Sequence, residues 1–168
     1  MVPDEDTVRC LALPIVGEQI LVPNAVVAEV FAAQTISPVS SGPQWLLGSV
    51  SWRGSVLPLV CMEAAVGGAR LEAGGRAKIV VMHTLSGNDA LKNFAVLVQG
   101  IPHQVLATDH TVRLETPVNG ARPFVAADLQ VEGEQAFIPD LETLEDALLE
   151  VADQWLGSGL AESGDNAP

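Results

Sequence analysis

The chain of 168 residues contains no tyrosine, and aromatic residues make up only 4% of it. Aliphatic side chains must therefore carry most of the core packing. There are two cysteines, Cys10 and Cys61, each alone in an apolar run. Neither their number nor their spacing describes a disulfide-stapled secreted scaffold, and both read as small buried hydrophobes, although one bridge between them stays open. No apolar run approaches the ~20 residues a membrane span needs. The N-terminal stretch MVPDEDTVR is acidic and lacks the positive start and apolar run of a signal peptide. These absences lead to the expectation of a soluble, cytoplasmic protein.

Positive charge is equally scarce, with 8 Lys and Arg against 21 Asp and Glu and a formal net charge of -13. The imbalance is concentrated at one end. Residues 123–168 hold Asp128, Glu132, Glu134, Asp140, Glu142, Glu145, Asp146, Glu150, Asp153, Glu162 and Asp165, and neither Lys nor Arg. Such a field repels phosphate backbones and anionic lipid, which excludes nucleic acid and direct membrane association as natural partners.

What the chain does have is apolar content, 48% of its residues, arranged in short runs. That is enough for a sizeable core, in one domain or in two small barrels sharing one. Arg9–Ile15, Gln19–Pro23, Val26–Phe31, Leu46–Trp52, Ser55–Cys61, Lys78–Leu85, Phe94–Gly100, Gln104–Thr108, Phe124–Val131 and Glu134–Pro139 all read as strands, separated by Gly, Pro, Ser and Asn. Frequent turns between short, Val-rich strands favour a sandwich or barrels over a βαβ sheet. Tight turns are expected at Val16–Glu18, Arg53-Gly54 and Glu132-Gly133. Gly67–Gly75, GGARLEAGG, reads as a flexible connector lying at a surface between parts of the fold.

One long helix is expected near the C-terminus. Asp140 can cap it, and Leu141, Leu144, Leu148, Val151 and Trp155 recur at spacings of three and four. Glu142, Glu145, Asp146, Glu150 and Asp153 occupy the other faces, and Gly157 is a natural stop. Such a helix could be a lid packed on a barrel, or could also dock a partner through its acidic face. Residues 1–8 and 156–168 read as terminal tails, the latter acidic and disordered, around a domain at 9–155.

Catalytic patterns are missing. His83, His103 and His110 form no zinc-type spacing, there is no phosphate-cradling loop, and no GxSxG elbow is present. Cys61 and His83 lie in different strands, so a Cys–His pair could form only by convergence in the fold. Acidic pairs such as Glu145-Asp146 on a solvated helix face are poor general acids. The leading expectation is a binder with no enzymatic activity, metal or cofactor. A small-molecule-binding β-barrel, or a cryptic hydrolase using Cys61, is the alternative.

The most informative segment is Trp45–Val60, WLLGSVSWRGSVLPLV. Leu46, Gly48, Val50 and Trp52 alternate with Leu47, Ser49, Ser51 and Arg53, which places Ser49 and Ser51 on an outer face. The chain turns at Arg53-Gly54 and returns as Ser55–Cys61. Gly48 inside a strand signals a bulge or a close backbone approach. Pro58 cannot donate to a ladder, so the return strand must be an edge or kinked there. Arg53 is then a solvated turn residue, a partner of some nearby carboxylate, or a fixed guanidinium offered to a partner protein.

The ordered spacing of Trp45, Gly48, Arg53, Gly54 and Pro58 resembles the signature hairpin of the CheW-like family, approximately W-x-x-G-x-x-x-x-R-G-x-x-x-P. Val27-Ala-Glu29-Val30 resembles that family's extended V-x-E-V segment, and likeness continues over about residues 9–155. Ser51-Trp52 replaces the usual Asn-Leu before Arg-Gly, and Gln99-Gly100 replaces an acidic pair, which makes the chain a divergent member. The resemblance implies a mainly β fold of two five-stranded SH3-like β-barrel subdomains with a C-terminal α-helix. It implies an adaptor without chemistry of its own, coupling the signalling tips of methyl-accepting chemoreceptors to the regulatory domain of a CheA-type histidine kinase, recruited to membrane receptor arrays. Arg53 and Gly54 would then belong to the receptor-coupling region. Val27 and Val30 would lie near the same groove between the barrels, while Trp45 and Gly48 shape the hairpin. The departures at Trp52 and the acidic C-terminus fit an auxiliary, ChpC-like role in type IV pilus motility.

Overall fold

The apolar alternation becomes twelve strands in a computed structural model that describes residues 7–39, 41–116 and 120–156. They are β1 (Val8–Ile15), β2 (Glu18–Pro23), β3 (Val27–Ala32), β4 (Ser37–Pro38), β5 (Leu46–Trp52), β6 (Ser55–Cys61), β7 (Lys78–His83), β8 (Asn93–Val98), β9 (His103–Ala107), β10 (Val112–Glu115), β11 (Val125–Val131) and β12 (Glu134–Pro139). A short helix α1 (Met62–Ala65) follows β6, and α2 (Leu141–Glu150) follows β12.

The strands form two sheets of six, in the orders β10-β11-β12-β2-β1-β9 and β3-β7-β8-β6-β5-β4. The resemblance implied five strands in each. The two strands that the residue pattern did not announce, β4 and β10, are both edges. β4 is two residues long, and β10 has exposed Arg113 and Leu114, so neither carries a readable alternation. Each sheet curls until its ends approach. β3 at one end of the second sheet leads through residues 33–36 to β4 at the other, and a turn at 108–111 links β9 to β10 in the first.

The second sheet is continuous in sequence, β3–β8, and is inserted between β2 and β9 of the first. The connector Gly67–Gly75 accordingly does not join the two units. It runs from α1 to β7 beside the second sheet, with no strand or helix of its own. The chain crosses between sheets at residues 24–26 and again at 99–102.

Packing follows this topology. One apolar cluster, with Leu47, Val50, Leu59, Cys61, Ile79 and Leu97, fills the second unit, and a smaller one, with Cys10, Ala12, Leu21, Val105 and Leu129, fills the first. Between them lies a third cluster that takes Leu13 and Ile20 from one sheet, Leu46, Val80 and Phe94 from the other, and Leu144, Leu148 and Trp155 from the C-terminal helical segment. The two units therefore share a core, and α2 seals it.

Helix α2 begins where expected. The Asp140 carboxylate accepts the Thr143 N–H at 3.2 Å and the Thr143 hydroxyl at 2.8 Å. A turn at Val151 separates α2 from a last helical stretch at 152–156. Leu141, Leu144, Leu148 and Trp155 are buried, while Glu142, Asp146, Glu150 and Asp153 are exposed. Glu145 departs from the expected solvated face, with only 2% of its surface exposed. Positions 141, 145 and 148 share one side of a helix. One Glu145 oxygen accepts the backbone N–H of Leu85 at 2.5 Å and that of Ser86 at 3.4 Å, tying the helix to the loop after β7. Of the expected tails at 1–8 and 156–168, Val8 opens β1 and Leu156 belongs to the last helical stretch; residues 1–6 and 157–168, with the expected stop at Gly157, lie outside the described residues.

Candidate partner-binding site

The hairpin β5–β6 closes with Trp52 opposite Ser55, leaving Arg53 and Gly54 as a two-residue turn. Both have positive φ, 48° and 78°, as a type I′ turn requires. Placing a non-glycine residue there costs roughly 1 kcal/mol. Glu132 makes the same choice in the β11–β12 turn at φ 51°, so the backbone conformation alone does not mark a site.

The surroundings of the Arg53 side chain set this turn apart from that one. The Trp52 indole N–H donates to Oε2 of Glu29 in β3 at 2.6 Å. The Arg53 Nη2 meets Oε1 of the same carboxylate at 3.4 Å, and its guanidinium carbon lies over the Trp52 ring, 4.8 Å from the centroid. The Gln34 amide donates to the Ser51 carbonyl at 2.9 Å, so the chain after β3 is also tied to the hairpin. These contacts join one end of the second sheet to β5, next to the other end, and exist because that sheet curls on itself. The Arg53 side chain remains 69% exposed.

Lower in the hairpin, Gly48 lies at a register shift in β5, opposite Pro38 of β4. A Cβ built there would come within 2.2 Å of the Ser37 carbonyl oxygen, which is the close approach that a glycine in a strand announces. The shift also alters the expected facing of the strand. Leu47 and Val50 pack in the same core, Leu46 joins the shared one, and Ser49 is buried at 2% exposure instead of facing outward. Ser51 is exposed. Pro58 faces only β5, because β8 joins β6 from Leu59 onward, so the front half of β6 is an edge. At the base, Trp45 packs edge-on against Phe124 at 5.7 Å and accepts the Cys61 N–H on its carbonyl, anchoring the hairpin to the first unit.

The candidate residues fall into two groups. Arg53 and Gly54 form the tip, and Val30, 38% exposed, follows Glu29 directly in β3. Val27 is half-buried, lies opposite Met82 and packs against the shared core. Glu29 and Trp52 received no role from the sequence. The available signal was an acid in the middle of an otherwise apolar strand.

A separate cleft of about 380 Å³ is lined by residues from both units, among them Val16, Glu18, Glu63, Val66, Leu71 and Arg122. Arg122 bridges Glu18 at 2.7 and 3.0 Å and Asp128 at 2.6 Å, which raises its guanidinium pKa further still. Glu63, 6% exposed, accepts the Val16 N–H at 3.1 Å. Neither Arg53, Gly54, Val27 nor Val30 lines this cleft.

The geometry opposes thiol chemistry. Cys61 is fully buried, and burial above all, with the nearby Glu63 carboxylate, pushes its thiol pKa up. On β8, Cys61 stands opposite Leu97 and His83 opposite Asn93, four residues or roughly 13 Å apart along the strand. A nucleophilic cysteine needs the opposite shift and an adjacent base. Cys61 is therefore expected to react with a thiol reagent such as DTNB at pH 7.5 at least ~10-fold more slowly in the native protein than after unfolding in urea. A native rate equal to the unfolded one would reinstate Cys61 as a reactive group. Among the described residues no cluster of three or more His, Cys, Asp or Glu could hold a metal ion, and no helix is long and apolar enough to cross a membrane.

Two β units on a shared core, closed by a C-terminal helix, define a mainly β fold. Residues 9–148 match the model of the CheW-like domain, and the chain belongs to that family. Its fold is similar to that in the crystal structure of the scaffolding protein TtCheW from Thermoanaerobacter tengcongensis, with a TM-score of 0.66 and 14% sequence identity over 84% of this chain and 89% of that one. No curated protein matches the chain.

Proposed function

We propose that this CheW-like scaffold is a non-enzymatic adaptor of chemotaxis signalling that couples chemoreceptor signalling tips to a CheA-type histidine kinase. The observation that carries the reading is the β5–β6 hairpin. Its tip presents Arg53 to solvent while Trp52 and Glu29 brace it from behind. A guanidinium held on a rigid element loses less side-chain entropy on binding than one on a loose loop, which is what an interface hot spot needs. Arg53 and Gly54 form the receptor-facing tip in this reading, with Val30 beside Glu29 on the same unit and Val27 buttressing β3 from the core. The kinase's regulatory domain is the second partner. The chain works in the cytoplasm, gathered at receptor arrays.

The replacement of Asn-Leu by Ser51-Trp52 and the exposed acids of α2 support assignment to an auxiliary branch, one serving type IV pilus motility. Deletion of the gene should then reduce twitching and leave flagellar swimming intact; the reverse pattern would assign it to a flagellar system.

The direct test is a pull-down against a receptor cytoplasmic fragment and a CheA-type kinase. Arg53→Ala should weaken receptor capture ~10-fold or more. Its stability should change by less than ~1 kcal/mol, because the ion pair with Glu29 is exposed. Unchanged capture, or loss of the native circular dichroism spectrum, would remove Arg53 from the receptor site. Failure of the wild-type chain to bind either partner at micromolar concentration would end the adaptor reading.

A further inference from the structure

Trp52 stands where the resembling hairpins carry Leu, and the tip is built through it. Its ring packs on the core of the second unit, its N–H donates to Glu29 at 2.6 Å, and the Arg53 guanidinium lies over its face, 4.8 Å from the centroid. The indole bonds Oε2 of Glu29, and Arg53 meets the other oxygen, Oε1, at 3.4 Å. Arg53 is held by this carboxylate and by the aromatic surface beneath it together.

The aromatic contact has a chemical consequence. A guanidinium lying over an aromatic ring keeps its N–H donors around its rim, where a planar carboxylate can meet two of them side by side. The attraction between cation and ring strengthens when a partner covers both and removes water. A leucine at the same place offers no such surface, and the arginine would then sample several rotamers before a partner could engage it.

We propose that Trp52 is a partner-selecting residue. By holding Arg53 over its indole it sets the hairpin tip to receive a carboxylate, the side chain of an Asp or Glu on the partner's contact surface. This rests on the adaptor reading above and specifies the chemistry of the receptor surface that the tip takes. Trp52 acts through Arg53 as a positioning residue and is not itself the group that meets the carboxylate.

The test titrates the full chain and four variants against a receptor cytoplasmic signalling fragment encoded in the same genome. Trp52→Phe keeps the ring and should bind within about twofold of wild type. Trp52→Leu and Trp52→Met keep apolar bulk without a π face, and both should bind about fivefold more weakly. Arg53→Ala should bind more weakly still. Changing the fragment's tip carboxylates to amides should weaken wild-type binding strongly but weaken Trp52→Leu much less, since the selected contact is already compromised. The Arg53 Nε–H resonance should shift upfield under the ring current in wild type and Trp52→Phe, and return to a random-coil position in Trp52→Met. Two methyl-bearing variants guard against one of them failing to fold. If both bind as wild type while Arg53→Ala does not, the role of Trp52 is overturned and the adaptor reading stands. Should Arg53→Ala also bind as wild type, the hairpin tip is not the receptor site and both fall.

Discussion

Gly48→Ala should destabilise the protein by ~3 kcal/mol or more and lower its melting temperature by about 10 °C. The new Cβ would lie 2.2 Å from the Ser37 carbonyl oxygen and 3.0 Å from Cγ2 of Ile36. The carbonyl belongs to β4, which pairs with β5 at this point, so the clash cannot be relieved by turning a flexible side chain. Either β4 separates or β5 shifts, and the second choice disturbs the register that places Leu47 and Val50 in the core. Gly54→Ala serves as the control. A Cβ there meets nothing within 4 Å, and the positive φ alone should cost about 1 kcal/mol. Thermal melts of the two variants separate the cases. Equal, small shifts would mean that β4 does not press on Gly48 in solution.

Trp155→Ala is expected to be as damaging, by about 3–5 kcal/mol, the range for removing a buried large aromatic residue. Trp155 is 1% exposed, packs in the core shared by both units, and donates its indole N–H to the Leu148 carbonyl at 3.0 Å. Its loss opens a cavity between the end of the helical segment and the β6 edge, where Leu57 and Leu91 form part of the wall. Denaturant unfolding should show the full loss. Amide exchange should rise first in residues 144–155, because the end of a lid is easier to free than a strand of the sheet beneath it. A stability change below ~1 kcal/mol, with exchange unaltered, would show that the helix seals the core without its tryptophan. Phenylalanine at this site should recover much of the loss by refilling the volume, though not the hydrogen bond.

Ten of the twelve strands were legible because each carries a local signal, an apolar run or alternation ended by turn residues. Glu134–Pro139, Leu46–Trp52 and Ser55–Cys61 were placed to the residue. The short edges β4 and β10 bury too little to leave such a mark. Gly48 and Pro58 were readable for another reason. A glycine or a proline inside a strand has few physical explanations, here a bulge or a close backbone approach for the one and an edge or a kink for the other. Glu145 was misread because a carboxylate beside Asp146 resembles any solvated helix face. Its partners, the amides of Leu85 and Ser86, are about sixty residues away in the chain.

The hairpin tip shows where legibility ends. Arg53-Gly54 was identifiable as a turn from the glycine, and as a candidate contact from its spacing with Trp45, Gly48 and Pro58. Which of its possible roles applied could not be read locally, because its carboxylate partner, Glu29, lies 24 residues away in β3. In the order of the sheet, β3 is one end and β5 stands next to the other, β4. Only curling of the sheet brings them together and lets Trp52 join Glu29 to Arg53.

The amino-acid sequence by itself determined the extended segments, the tight turns, the apolar stripe of α2 and the shape of the hairpin, since all are set by side-chain period and by allowed φ over a few residues. Tertiary structure decided the insertion of one sheet within the other, the burial of Ser49 and Glu145, and the bracing of Arg53 by Trp52 and Glu29. Those features depend on which distant strands become neighbours, and the pairing energy that settles this is shared across whole sheets and is not written at any one residue.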